Sequence, residues 1–103
     1  MVLGMKLKST IISASGKYYE GGYNYYHSEG CYEKREDGKF FMHYYANLGT
    51  MTQEISETEY NTGVAHLRAI DGKPTTHWSH AIMKLHEETR EREVYSSEMR
   101  KTA

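Results

Sequence analysis

The stretch 31–46, CYEKREDGKFFMHYYA, decides how the first half of the chain folds. At its centre stands the pair Asp37-Gly38, which supplies the positive φ angles that a tight two-residue β-turn requires. The flanking residues are rich in tyrosine and phenylalanine, which favour strands. The stretch therefore predicts a β-hairpin with Asp37-Gly38 at its tip.

Two neighbouring segments extend this hairpin into a sheet. Between residues 5 and 14, apolar side chains largely alternate with polar ones, which is typical of a strand with one buried face. The segment TMTQEI, residues 50–55, alternates in the same way. We therefore predict a three- or four-stranded antiparallel sheet over residues 5–55.

Ser56 marks a change from strand to helix. With Glu59 three residues later it forms the S-x-x-E capping box, in which each residue satisfies a backbone N–H of the other. Apolar residues then recur at helical spacing, with Gly63 as the weak position at about 1 kcal/mol against alanine. These signals predict a helix over residues 57–70.

A second helix is predicted over residues 76–99, with Thr75 or Thr76 as its cap. An apolar stripe at helical spacing ends at Leu85 and is followed by the charged run HEETRERE. Within that run, Glu88 and Arg92 form a favourable i,i+4 pair.

The fold class predicted from these elements is α+β. The antiparallel sheet forms the N-terminal half, and two C-terminal helices pack on one of its faces. All 103 residues are predicted to form a single domain, made of a β-meander (5–55) and a helical hairpin or pair (56–100).

Composition and charge narrow the classes of function. Thirteen Lys and Arg residues nearly balance fourteen Asp and Glu residues, so a long nucleic acid or a membrane surface is not an expected partner. Cys31 is the single cysteine, which fits a reducing compartment, and no run approaches the roughly 18 apolar residues that span a bilayer. We predict a cytoplasmic protein without a cofactor.

Tyrosines are concentrated in one third of the chain: residues 16–47 contain eight of the ten. Because successive strand residues point to opposite faces, rings are predicted on both faces of the sheet, whereas the two helices cover one. Tyrosine also decorates wet strands that bind nothing. We nevertheless predict an exposed aromatic face that binds a partner, built from Tyr23, Tyr25, Phe41, His43 and Tyr45.

The predicted function is that of a non-enzymatic protein-binding module that acts through this aromatic face. Self-association of the chain through Val94, Tyr95 and Met99 is expected to assist this binding. Phages and mobile elements often encode small chains of this kind as inhibitors of host systems. No particular residue of this sequence carries that association.

Two alternatives stay open. One is a small-molecule or nucleotide-binding protein, because tyrosine rings can stack on bases. The other is a metal-dependent enzyme that uses His77 and His80, which are three residues apart and close enough on a helix to share an ion. The sequence contains no H-E-x-x-H motif and no glycine-rich phosphate loop.

Overall fold

The computed structural model describes residues 4–46, 49–75 and 81–95. Within them the chain forms one five-stranded antiparallel sheet and one helix. In chain order the elements are β1 (Gly4–Glu20), β2 (Tyr23–Arg35), β3 (Phe40–Ala46), β4 (Gly49–Ile55), α1 (Glu57–Ile70) and β5 (Met83–Tyr95).

The strand order in the sheet is β4-β3-β2-β1-β5. Hairpin connections join the first four strands, so neighbours in sequence are neighbours in space. Helix α1 then carries the chain from the β4 edge across the sheet to the opposite edge, where β5 pairs with β1 from Gly4↔Tyr95 to Gly16↔Met83. In this part of the sheet β1 has a hydrogen-bonded neighbour on each side.

The β2–β3 hairpin predicted around Asp37-Gly38 is present, but its loop is longer than two residues. Gly38 N–H donates to the Arg35 carbonyl at 3.0 Å, and Arg35 N–H donates to the Lys39 carbonyl at 2.9 Å. Gly38 has a φ of 89°, as expected for the final residue of a three-residue hairpin loop.

The capping box at the start of α1 is confirmed. Ser56 Oγ accepts a hydrogen bond from Glu59 N–H at 3.1 Å, and Ser56 N–H donates to Glu59 Oε1 at 3.1 Å. The helix predicted over residues 57–70 therefore begins and ends as expected. Within the described ranges, no helix has the length and apolar character that crossing a membrane requires.

One face of the sheet packs against α1 and forms the apolar core. Tyr60 of the helix meets Phe40 of β3 with ring centroids 4.9 Å apart, and it meets Tyr32 of β2 edge-on at 6.4 Å. The buried residues of this core are Ile12, Ala14, Phe40, Tyr60, Val64, Leu67 and Met83.

The predicted fold class, an α+β domain with two C-terminal helices, is wrong. The chain is mostly β with one described helix, and residues 83–95 of the predicted helix 76–99 form strand β5. The predicted helical hairpin or pair over residues 56–100 is therefore wrong as well.

The reason for the error lies in long-range pairing. Met83 and Leu85 alternate with Lys84 and His86, and this period of two aligns with β1 over thirteen paired positions. Met83 is 1% exposed and belongs to the core. Pairing with a strand that lies 67 to 91 residues earlier in the chain thus overrides the local helix propensity of HEETRERE.

Candidate functional site

The sheet extends at one end into a two-stranded hairpin. The pairing of β1 with β5 stops at Gly16, and β2 pairs with β3 only at residues 32–34. Beyond these points β1 and β2 continue to pair with each other, from Lys17↔Tyr26 to Glu20↔Tyr23. We call residues 17–26 the hairpin arm.

The tip of the hairpin arm is a tight Gly21-Gly22 turn. The φ angles of these two residues are 57° and 88°, and positive values at both central positions define a type I′ turn. Such a turn matches the right-handed twist of the strands, so the ribbon can continue to its tip without splaying.

Half of the hairpin arm is tyrosine: Tyr18, Tyr19, Tyr23, Tyr25 and Tyr26 account for five of its ten residues. Tyr23, beside the turn, is 69% exposed. The arm also makes the molecule elongated, because the seventeen residues of β1 span about 55 Å at 3.3 Å per residue. The longest dimension of the molecule is 54 Å.

The five residues of the predicted aromatic face do not form one surface. Tyr23 and Tyr25 belong to the hairpin arm, whereas Phe41, His43 and Tyr45 belong to β3. Phe41 pairs in register with Glu33, ten residues from Tyr23 along β2, which corresponds to roughly 33 Å. The side chain of Tyr25 lies outside the described part of the structure.

Phe41 is not available to a partner in this structure. Its ring is 2% exposed and lies under the guanidinium of Arg35, whose Cζ is 4.1 Å from the ring centroid. This cation–π contact is on the sheet face opposite α1. Tyr45, two residues further along β3 than His43, is 87% exposed and remains accessible.

Glu33 is the centre of a buried polar network on the same face as Phe41. Its carboxylate is 0% exposed. Ser9 Oγ donates to Oε2 at 2.6 Å, Arg35 Nε donates to Oε2 at 2.9 Å, and His43 Nε2 contacts Oε1 at 2.8 Å. Arg92 Nε lies 3.8 Å from Oε2. Three strands besides β2 therefore contribute to holding this carboxylate.

The network fixes the charge state of Glu33. Burial by itself raises the pKa of a carboxyl group, but the hydrogen bonds from His43, Ser9 and Arg35 and the Arg35 charge outweigh it and lower the pKa of Glu33 from 4.5 to about 2. Glu33 is thus an acceptor only at neutral pH, so His43 Nε2 must be the donor.

His43 also connects the network to the edge strand. Its Nδ1 lies 2.9 Å from Thr52 Oγ1, and His43 and Thr52 are directly opposite each other in the β3–β4 register. When the ring is neutral, Nδ1 accepts from the Thr52 hydroxyl. The hydroxyl, the imidazole and the carboxylate form a chain, but Arg35 already neutralises the carboxylate. We interpret the chain as a cross-strand polar pair that stabilises the sheet.

Sequence reasoning missed Glu33 and Arg35, which look like part of a solvated hairpin tip. Arg35 is paired in register with Ser9, and Glu33 with Ile11. It is this pairing with β1 that brings Glu33 and Arg35 together with Ser9 in a buried position. The local sequence carries no signal for it, because both residues stand in an alternating charged run.

The remaining predicted site residues stay untested. Val94 and Tyr95 belong to β5, but their side chains lie outside the described part of the structure. Met99, His77 and His80 lie outside the described residues altogether. Among the described ranges, no three His, Cys, Asp or Glu side chains come together in a way that could hold a metal ion. Contact between copies and metal binding at His77 and His80 remain predictions.

Comparison of the chain with protein families, with curated proteins and with solved structures gives no match to any of them.

Proposed function

We propose that this protein is a non-enzymatic protein-binding module and that the hairpin arm is its docking element. The observation that supports the proposal is the tyrosine-rich ribbon that continues past the rest of the sheet and α1, which together we call the body. Tyr23 at its tip is 69% exposed. A module of this kind acts by occupying the surface of another protein, as an inhibitor does.

The chemistry of the arm favours a protein partner. Tyrosine contributes a large contact area at a small loss of rotamer entropy, and its hydroxyl is satisfied in water and in an interface alike. For this reason tyrosine is enriched among the residues that dominate binding energies. An isolated two-stranded ribbon is marginally stable in water, so packing against a partner would stabilise the arm as well.

The backbone of the arm offers a second means of contact. Beyond Gly16, no other described strand pairs with β1 or with the facing residues of β2. An extended segment of a partner could pair with either edge and add a strand to the ribbon. Main-chain hydrogen bonds would then give affinity, and the tyrosine rings would give specificity.

The polar network around Glu33 does not favour an enzyme. Its carboxylate is fully buried and held by Ser9, Arg35 and His43, which leaves it no access to a substrate. A catalytic carboxylate must reach the reacting atoms directly or through one water molecule. We therefore assign this network to the stability of the sheet.

A photo-crosslinking experiment tests the proposal. A benzophenone amino acid is placed at position 23 in one variant and at position 73, an exposed loop residue, in a matched control. We expect position 23 to yield a discrete crosslinked protein from cells of the source organism, and position 73 to yield none. Equal labelling at both positions, or none at position 23, would contradict the proposal.

A binding measurement on the captured partner completes the test. We expect Tyr23→Ser to weaken binding at least fivefold, because a tyrosine anchor contributes about 1 kcal/mol or more. Tyr45→Ser provides a control on the body, since Tyr45 is also highly exposed. A larger effect of Tyr45→Ser than of Tyr23→Ser would move the docking site from the arm to β3.

A further inference from the structure

A groove runs beside α1 on the face of the sheet that the helix covers. Its volume is about 610 Å³, which lies within the range typical of small-molecule sites. The floor is apolar and consists of Ile12 of β1 with Tyr60 and Val64 of α1. Ala65 lines the groove from the helix, and its small side chain leaves the space above the floor open.

Four cationic residues line this groove: Arg35 is paired with Glu33, and the other three come from three different elements. Lys8 comes from β1, Lys34 from β2 and Arg68 from α1. Lys34 is directly opposite Thr10 in the β1–β2 register, two residues from Lys8, so the two lysines are neighbours on one face. Arg68 follows Val64 by four residues and therefore stands on the same side of the helix.

These cations are not neutralised by the described part of the chain. Within residues 4–46, 49–75 and 81–95, none of the three forms an ion pair. Two carboxylates, Glu36 and Glu87, also line the groove, so its balance of charge stays positive. By contrast, Arg35, which also lines the groove, and Lys39 do have carboxylate partners.

Tyr60 adds a hydrogen-bond donor to the groove. Burial, reinforced by the Glu87 carboxylate and opposed by the Arg68 charge, raises the pKa of Tyr60, so its hydroxyl stays protonated at neutral pH. The groove thus combines an apolar floor, a neutral phenol and a cationic rim. An anion with an apolar body matches all three.

We propose that this groove binds a small organic anion whose flat apolar body lies on Ile12 and Val64 and whose charged group meets Lys34 and Arg68. The site is separate from the hairpin arm. Binding there does not depend on whether the arm docks on a protein. A bulky polyanion is a poor fit, because Glu36 and Glu87 flank the same groove.

The probe for this proposal is 8-anilinonaphthalene-1-sulfonate, an aromatic anion that fluoresces when it leaves water. We expect saturable binding of one molecule per chain, at least tenfold weaker in the Lys34→Gln/Arg68→Gln double variant. Ala65→Phe should fill the groove and abolish binding. The matched controls are Ala69→Phe on the same helix and Lys84→Gln on β5, both exposed and outside the groove, and both should bind as the unmodified protein does.

Amide chemical-shift mapping on the unmodified protein makes the test independent of how the variants fold. The expected shifts are centred on Lys34, Ala65 and Arg68. Shifts centred elsewhere, or an absence of saturable binding, would overturn the proposal. So would equal affinity of the Lys34→Gln/Arg68→Gln variant, Ala65→Phe and their controls.

Discussion

The hairpin arm and the body of the sheet use the same aromatic residue types in opposite ways. In the body, Phe40 and Tyr60 pack together in the core and Phe41 is covered by Arg35, whereas in the arm Tyr23 stands in solvent. The difference lies in the number of neighbouring elements: β1 has a partner on each side up to Gly16 and a single described partner beyond it. The comparison indicates that stability comes from the body, and it leaves the Tyr23 ring free for the contact that we propose for the arm.

Replacing Glu33 should have the largest effect on the body. Glu33→Gln keeps the shape of the side chain but leaves Arg35 buried without its counter-charge, and breaking a buried pair in this way costs about 3 to 5 kcal/mol. Urea unfolding measures the change in the free energy of unfolding. Glu36→Gln, at an exposed position of the adjacent loop, is the matched control. It should change the free energy of unfolding by nearly zero. Equal effects of the two substitutions would show that the network does not stabilise the sheet.

The stability of the body should also fall in acid. Because folding lowers the pKa of Glu33 from 4.5 to about 2, its contribution is fully present above about pH 5 and is lost as the pH falls toward 2. The loss attributable to this group is roughly 3 kcal/mol, at about 1.4 kcal/mol per pKa unit. Unfolding curves at pH 6 and pH 2.5 measure it. Glu33→Gln should remove this part of the pH dependence, and an unchanged slope in the variant would refute the assignment.

The packing of α1 against β2 should require a glycine at position 63. Helix propensity alone predicts that Gly63→Ala stabilises α1 by about 1 kcal/mol. A Cβ at this position would, however, overlap Cζ of Tyr32 and lie 2.6 Å from its hydroxyl oxygen. The Tyr32 ring would have to leave its contact with Tyr60, so we expect a net loss of about 1 to 2 kcal/mol in thermal or urea unfolding. A gain in stability would mean that the ring moves without penalty.

The capping box should contribute a smaller amount. Ser56→Ala removes the acceptor for Glu59 N–H, and the loss of such a cap costs about 1 kcal/mol. Thr58→Ala, two residues into the helix and exposed, is the control and should change the free energy of unfolding by less than about 0.5 kcal/mol. If the two substitutions had equal effects, the cap would not be the source of the stabilisation.

The smallest effect on stability is expected in the arm. Tyr23→Ser removes a ring that is mostly in solvent, so the free energy of unfolding should change by less than about 0.5 kcal/mol. The same urea experiment measures it. A loss above about 1 kcal/mol would mean that this ring packs against the molecule's own chain, and the contrast between arm and body would fail.

The sequence predicts those parts of the fold that depend on neighbouring residues. The capping box at Ser56 places the start of α1, and Asp37-Gly38 places a hairpin, because both signals act within four residues. The position of β5 depends instead on its pairing with β1, and a run of Glu and Arg has no local feature that reveals such a partner.

For the candidate site, the sequence shows that tyrosines are concentrated in one part of the chain, but it does not show which side chains are exposed. The concentration of tyrosines is a property of the sequence, whereas the exposure of each ring depends on where β5 and β3 stop pairing with the central hairpin. Phe41 and Tyr45 share a face of β3 by parity, yet one is buried and the other exposed. The buried charge of Glu33 depends on Ser9 and His43, which come from other strands.

Shortening the arm tests the central claim most directly. Residues 18–25 are replaced by an Asn-Gly turn that joins Lys17 to Tyr26, which already face each other in the β1–β2 register. If the arm is the docking element, this variant should unfold at nearly the same temperature as the full chain and should no longer capture the protein that crosslinks to position 23. Undiminished capture by the shortened protein, or collapse of the body when the arm is removed, would contradict the account.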